Sequence, residues 1–451
     1  MVYSKAYFIG IGGIGMSALA RFCKAKGLDV SGYDRTRSEL TAALEVEGIR
    51  VHYECRPEEL PQGVEETLVV YTPAVSEDFP ELVQARAKGY RVIKRSKMLG
   101  EVTRGETCLA VAGTHGKTTT STLIAHMLTE SGIGCSAFLG GISKNYRTNM
   151  LVSGTPLVVA EADEFDRSFL QLHPAIAAIT SMDADHLDIY GSLESVQEAF
   201  REFASQVSET LILKYSLPID QSCTPAKIFT YHYDDERADF HGSNFRLDSE
   251  GHYTYDLVYP AGVLTDIKVG TIGWVNVENS IAALAVCLCY GMDAQKARHA
   301  IASFEGAVRR LDVHVNRPGL CYIDDYAHHP KELQSAISSV RQVFPGRKIT
   351  GIFQPHLYTR TRDFAPEFAS ALSALDSLIL LDIYPAREEP IEGVDSSIIF
   401  NSVTCGEKVL LHKEELLPYL EDSKESLDVL MTLGAGDIDR FINPIREMLE
   451  K

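Results

Sequence analysis

The stretch LAVAGTHGKTTT, Leu109 to Thr120, decides how the rest of the chain is read. Its apolar start, Leu109 to Ala112, predicts a buried strand. Gly113, Thr114, His115 and Gly116 then make a turn. Lys117 and the threonines Thr118 and Thr119 open an apolar-periodic segment, Leu123, Ile124, Met127 and Leu128, that predicts a helix. Strand, glycine turn, Lys-Thr and helix is the layout of a phosphate-binding loop. Backbone N–H groups at the helix start point at the anion, and the helix dipole favours negative charge there. The lysine reaches the terminal phosphates and a threonine hydroxyl suits Mg²⁺. Val111 stands where the strict pattern has its first glycine. The alternative is an ordinary glycine turn ahead of a helix.

The 451 residues are enough for two to four domains with sizeable cores. A net charge of −19 argues against a nucleic-acid partner or an anionic membrane surface, both of which need clustered Lys and Arg. An anionic substrate must therefore be met by local basic groups or Mg²⁺. The nine cysteines are scattered without a C-x-x-C pair and read as reduced thiols of a cytoplasmic protein. Met1 to Lys5 runs straight into a strand, so no signal peptide is expected. The longest apolar run, around Ile281–Tyr290, is too short to span a bilayer, so no membrane insertion is expected.

Upstream, Ala6–Ile9 predicts a strand, and Gly10-Ile11-Gly12-Gly13-Ile14-Gly15 matches G-x-G-x-x-G before a helix from about Met16. A second strand, residues 29–34, ends in Asp34. This is a dinucleotide-type βαβ unit. Alone it suggests an NAD-dependent dehydrogenase, but the same loop holds any diphosphate, including that of a UDP-sugar. Further strands at Leu68–Tyr71 and Arg91–Lys94 complete one doubly wound domain ending near residue 105.

Downstream, the strand in residues 156–166 ends in Glu161, Asp163, Glu164 and Asp166, hard oxygen ligands placed where Mg²⁺ belongs beside a phosphate loop. The alternative is a solvated acidic turn. Strand Ala175–Thr180 runs into Asp183, Asp185, His186 and Asp188, a second metal candidate. Residues 225–272 are rich in Tyr, Phe and Val in alternation and predict a small antiparallel layer. In the helix that follows, Asn276 and Asn279 cap its start or read a base edge. Arg309 and Arg310 precede a domain junction, where an arginine reaches a γ-phosphate or simply lies on the surface.

The last third repeats one theme. A strand ends in Asp324, Asp325, Tyr326, His328 and His329 before a helix opened by Pro330. Others end in Gln354, His356, Tyr358, Arg360 and Arg362, then in Asp382 and Tyr384, then in GAGDI at 434–438. Four strands with polar carboxyl ends predict a second doubly wound sheet with ligands at that edge.

GIGGIGMSALA, AGTHGKTTT, EADEFDRSF, DADHLDIY, NVENSIAAL, RRLD, DDYAHHPKE, FQPHLYTRTRDF, DIYPAREEP and GAGDI, in that order, resemble the Mur ligases over nearly the whole chain. DDYAHHP, the TRTRDF run and GIGGIGM narrow the resemblance to the members that act on UDP-N-acetylmuramate itself. It implies an α/β fold of three domains. Residues 1–105 are a Rossmann-like domain for the UDP-sugar. Residues 106–310 are a central P-loop ATPase-type domain for ATP, with the small antiparallel β layer. Residues 311–451 are a Rossmann-like domain for the amino acid. The implied reaction is ATP-driven amide formation between UDP-N-acetylmuramate and L-alanine through an acyl phosphate, by a monomer or homodimer. The alternative is the muropeptide ligase, which adds a whole peptide. A non-catalytic nucleotide-binding regulator is a third reading.

The resemblance also implies roles. Gly12, Gly13, Ile14, Gly15, Asp34 and Thr72 take the UDP-sugar. Gly113, Thr114, His115, Gly116, Lys117, Thr118, Thr119, Asn276, Asn279, Arg309, Arg310 and Asp325 take ATP. Thr118, Glu161 and His186 hold Mg²⁺. Lys117, His186, Arg310 and His328 are catalytic. Tyr326, His328, His356, Tyr358 and Arg360 take the alanine and the acyl phosphate. Two positions depart from the family: Val275 stands where His is common, which alters an adenine contact, and Leu357 where Arg is common, which leaves the choice among Ala, Ser and Gly open.

Overall fold

The computed structural model describes residues 3–386 and 388–451, with the side chain of Asp188 also left aside. Met1 and Val2, the start of the expected leaderless terminus, lie outside the described residues, as does Asp188 as a metal ligand. The chain divides into two compact units. One holds residues 1–243, 256–267 and 279–305, and the other holds 244–255, 268–278 and 306–451.

The first unit begins with a parallel five-stranded sheet in the spatial order Arg50–His52, Asp29–Tyr33, Lys5–Ile9, Thr67–Tyr71, Arg91–Lys94. Strand order reverses beside Lys5–Ile9, and the glycine loop leaves that strand at its carboxyl end, where doubly wound sheets bind ligands. The helix after the loop runs Ile14–Ala25, two residues earlier than expected from its apolar period.

The second sheet has ten strands. Thr107–Ala112 lies between Ile176–Ile179 and Leu157–Ala162, parallel to both. Leu109 to Ala112 are fully buried, as a strand covered on both faces by helices must be. Beyond Leu157–Ala162 come Ser136–Ser143 and the antiparallel Thr148–Leu151. On the other side follow Thr210–Lys214, Lys227–His232, Phe240–Leu247, His252–Tyr259 and Gly262–Ile272. Lys227–His232 corrects the sequence reading. It pairs parallel with both Thr210–Lys214 and Phe240–Leu247, so it extends the central sheet rather than opening a separate antiparallel layer. The last three strands are joined by connectors too short for a parallel crossover and so fold back as hairpins.

The other unit carries a six-stranded sheet in the order Asp312–Arg317, Leu320–Asp325, Val429–Leu433, Ile349–Phe353, Ser377–Leu381, Glu407–Leu411. Only the first pair is antiparallel. The two edge strands were not foreseen, since each is short and largely unburied. The helix Pro330–Val343 starts as expected at proline, and a capping box fixes it: the His329 ring accepts from the Lys331 N–H while Glu332 accepts from the His329 N–H.

Candidate active site

The phosphate loop is built by its neighbours. Gly113 has φ 136° and Gly116 φ 80°, values that favour glycine. A Cβ on Gly113 would lie 2.1 Å from Thr180 Oγ1, and one on Gly116 would lie 2.8 Å from Asn279 Oδ1. The Ser181 hydroxyl accepts from the His115 N–H at 2.8 Å and pairs with the Thr114 hydroxyl at 2.9 Å, while Thr180 Oγ1 donates to the His115 carbonyl. The loop is thus stitched to the end of the neighbouring strand. Thr180 and Ser181 escaped the sequence reading because only strand pairing brings them there. Asn279 lies behind Gly116 and Thr120, supporting the loop. In the other unit, Asn276 donates from Nδ2 to the Ile272 carbonyl at 2.8 Å.

Lys117 begins the helix Lys117–Glu130. Its Nζ lies 2.8 and 3.0 Å from the two Glu164 carboxylate oxygens and donates to the Gly113 carbonyl. Burial works against the lysine's charge, but Glu164, Asp163 and Glu161 more than offset it and hold the ammonium above its ordinary pKa. Burial pushes the Glu164 carboxyl up, against the pull of Lys117. The sequence reading named Glu164 only as one of four acids in a cluster, yet it is the partner of the loop lysine.

Thr118, Glu161 and His186 were expected as one cation-binding set; the first two are bonded to each other, and the third clusters with further carboxylates. Thr118 Oγ1 donates to Glu161 Oε1 at 3.1 Å, and the Gly140 N–H donates to Glu161 Oε2 at 3.0 Å. A Cβ on Gly140 would sit 2.2 Å from the same carboxylate, so glycine there makes its cradle. His186, held at φ 51°, joins Glu164 and Asp185 in a second group whose ligand atoms all lie within 4.8 Å of one another. Hydroxyl and carboxylate oxygens in the first group, and carboxylates with one imidazole in the second, suit a hard divalent cation.

At the first glycine loop, Gly10 and Ile11 donate to the Tyr33 carbonyl, and Asp34 Oδ2 accepts from the Gly12 N–H at 2.7 Å. Asp34, expected at the UDP-sugar, thus ties the loop to the end of its own strand. Thr72 packs on Gly10, where a Cβ would lie 2.5 Å from its methyl group. A Cβ on Gly13 would make only ordinary contacts, 3.7 Å from the Gly10 carbonyl oxygen and 3.8 Å from Met16, while Gly15 is covered by the Arg95 side chain. The start of the helix is pinned by Asn149, fully buried, which donates to the Ile14 carbonyl and to the Ser17 hydroxyl.

In the other unit, Arg309 is committed to structure. At φ 63° it donates from Nε to buried Asp324 at 3.0 Å and from Nη2 to the Gly434 carbonyl at 2.5 Å. Arg310 stacks its guanidinium on the Tyr326 ring, 4.9 Å from the centroid. Asp325, expected at the nucleotide, accepts from the Leu311 and Ala327 N–H groups and shapes the turn; burial pushes it up to about 6, against the pull of Arg310. His328 Nδ1 lies 3.1 Å from the Tyr326 carbonyl and 3.2 Å from Glu332, with its ring edge-on to His356 at 5.9 Å. His356 stacks on Tyr384, and Leu357, at φ 70°, donates from N–H to the Tyr384 carbonyl. Tyr358 opens a short helix in which Arg360 is buried. Three strand ends thus bring His328, His356 and Tyr384 together, as the sequence suggested. Asp382 instead pairs with His412 on the surface.

Three stretches match family signatures: residues 5–107 one described as Mur ligase family, catalytic domain, residues 111–287 the Mur ligase middle domain, and residues 309–436 the Mur ligase, glutamate ligase domain. The chain is 48% identical to the UDP-N-acetylmuramate–L-alanine ligase of Porphyromonas gingivalis, over 99% of both chains. It is 49% identical to the protein of that name from Parabacteroides distasonis, over 99% of this chain and 98% of that one. It is similar in structure to the UDP-N-acetylmuramate–alanine ligase MurC of Thermotoga maritima, with a TM-score of 0.82 and 28% identity over 98% of this chain and 99% of that one.

Proposed function

The chain belongs to the Mur ligase family, and from that premise we propose that it joins L-alanine to the lactoyl carboxylate of UDP-N-acetylmuramate with ATP as the energy source. The observation that carries this is likeness along the entire chain, covering both glycine loops and the His328–His356 cluster at once. It sets aside the dehydrogenase reading of the first loop, whose diphosphate belongs to the UDP-sugar. It also favours L-alanine over a peptide as the acceptor, since the relatives carry the L-alanine name.

In this reading the domains run 1–105, 106–310 and 311–451. The lactoyl carboxylate attacks the γ-phosphorus, the bond to the β-phosphate oxygen breaks, and ADP leaves. The alanine amine then attacks the acyl carbon, phosphate departs, and the amine loses a proton. Lys117 leaves Glu164 for the transferring phosphoryl group, where its charge offsets the meeting of two anions. Arg310, stacked on Tyr326, is the arginine for this task, while Arg309 bonds Asp324 and the Gly434 carbonyl. Mg²⁺ would be held by Thr118 and Glu161, and by Glu164, Asp185 and His186, and would shield carboxylate from phosphate. His328, with Nδ1–H toward the Tyr326 carbonyl, keeps Nε2 as the acceptor for the amine proton. Arg360 suits the alanine carboxylate by paired hydrogen bonds.

Nine free cysteines fit a reducing cytoplasm. Among the described residues no helix is long and apolar enough to cross a membrane. We take the protein to be a monomer or homodimer, which light scattering decides. The function is tested by phosphate release from MgATP with L-Ala, L-Ser, Gly or a muropeptide, with and without UDP-N-acetylmuramate. Release that needs both UDP-N-acetylmuramate and L-alanine is the expected result. Release with the peptide alone moves the protein to the sister activity, and none with any acceptor refutes the ligase.

A further inference from the structure

We propose that Arg95 is a substrate-binding residue that exchanges Asp163 for the diphosphate of the UDP-sugar when that ligand fills the first glycine loop. The inference rests on the ligase reading above. Arg95 opens the helix Arg95–Thr103 directly after the edge strand Arg91–Lys94. Its guanidinium covers Gly15: a Cβ there would lie 2.9 Å from Nη1 and 3.1 Å from Cδ. Its other end donates from Nη2 to Asp163 Oδ2 at 3.2 Å. One side chain thus touches both the loop for the UDP-sugar and the acidic turn that supplies Glu164 to Lys117.

That turn is held under strain. Asp166 and Arg167 are consecutive and both left-handed, at φ 53° and 54°. Such backbone persists only where its surroundings fix it. Lys94 to Asp166 at 3.1 Å and Arg95 to Asp163 are the two ion pairs that reach the turn from the first sheet. They are not equivalent. Lys94 reaches the turn at Asp166 and is 43% exposed, while Arg95 is largely buried, its side chain 16% exposed, and also covers Gly15 of the loop. Asp163 is the more exposed partner, at 38%. A diphosphate offers two charges and several oxygens to a planar fork that the single carboxylate fills incompletely. Lys94–Asp166 keeps the turn anchored once Arg95 has moved, and Asp163 is left as an uncompensated charge beside the Lys117–Glu164 pair.

The test is calorimetric binding of UDP-N-acetylmuramate without ATP, followed by steady-state kinetics, for wild type, Arg95→Ala, Arg95→Lys and Asp163→Asn. The expected result is a Kd for UDP-N-acetylmuramate raised about 10- to 100-fold by Arg95→Ala, the range for loss of a charge-assisted hydrogen bond. Arg95→Lys, which keeps the charge and covers the case where the alanine variant fails to fold, recovers part of it. KM for ATP stays within threefold. Asp163→Asn removes the competitor and leaves Kd unchanged or lower. If Asp163→Asn and Arg95→Ala weaken both ligands alike, Arg95 only props the turn and the exchange is refuted. If Arg95→Ala binds like wild type, the exchange is likewise refuted. If wild type itself does not bind UDP-N-acetylmuramate, it is the ligase reading that fails.

Discussion

Replacing Gly140 by alanine tests the cradle around Glu161. The added Cβ would lie 2.2 Å from Oε1 and 2.3 Å from Oε2. Ordinary contact needs roughly 3.5 Å, so the carboxylate must retreat by roughly 1.3 Å. The backbone at this position is not left-handed, so the effect is steric and local. Retreat breaks the bonds from the Gly140 N–H and the Thr118 hydroxyl. Each hydrogen bond to a charged group is worth about 1.5–3 kcal/mol, and partial re-pairing with water returns some of it. We therefore expect a stability loss of about 2–4 kcal/mol. Displacing a positioning group by about 1 Å costs about 100-fold in rate. The assay is phosphate release with saturating UDP-N-acetylmuramate and L-alanine across a Mg²⁺ titration, beside urea unfolding. The variant should stay folded at 25 °C, lose about 100-fold in kcat, and need more Mg²⁺ for half its maximal rate. A kcat within threefold of wild type with an unchanged Mg²⁺ requirement would show that Glu161 does not serve the cation.

Lys117→Ala should abolish ATP-dependent phosphate release while UDP-N-acetylmuramate still binds; near-normal turnover removes Lys117 from the chemistry. Gly13→Val should raise the KM for UDP-N-acetylmuramate at least about tenfold and leave that for ATP alone, because a Cβ there meets no protein atom closer than 3.7 Å and the added bulk falls on the ligand; equal losses for both refute the loop assignment. Asp325, raised to about 6 from its usual 3.8, favours the fold in its protonated form. That contribution is complete below pH 3.8 and is lost as pH rises through about 6, by up to about 3 kcal/mol. Urea midpoints from pH 4 to 7.5 should fall accordingly in wild type and flatten in Asp325→Asn, and parallel curves would exclude the carboxyl as their source.

Much of this was legible locally. The two glycine loops, their strands and the polar strand ends depend on short-range patterns: an apolar run, a turn residue, a period of 3.6. The structure keeps each of these, with the Ile14 helix start shifted by two residues. What the sequence hid depends on pairing across the sheet. Glu161 faces Val111 only because Thr107–Ala112 and Leu157–Ala162 run in parallel register. Gly140 reaches that carboxylate because its strand leaves its neighbour after Phe138. Two glycines at the end of an apolar run, Gly140 and Gly141, were a usable signal. Asn149 and Thr180 offered none, being single polar residues whose partners lie 135 and 65 positions away. Lys227–His232 misled because its alternation is equally that of a parallel strand with one half-covered face.

The lysine of the phosphate loop is neutralised from within before any ligand arrives. A visitor that draws Lys117 away leaves Glu164 buried at 2% exposure beside Asp163, and a buried carboxylate stripped of its cation is strongly disfavoured. Sulfate, acetate or a lone phosphate brings nothing to replace it. A polyphosphate chelated to a divalent cation arrives with its own replacement. If Lys117 serves the phosphates as proposed, the ion pair would sort visitors by the charge they deliver as well as by their shape.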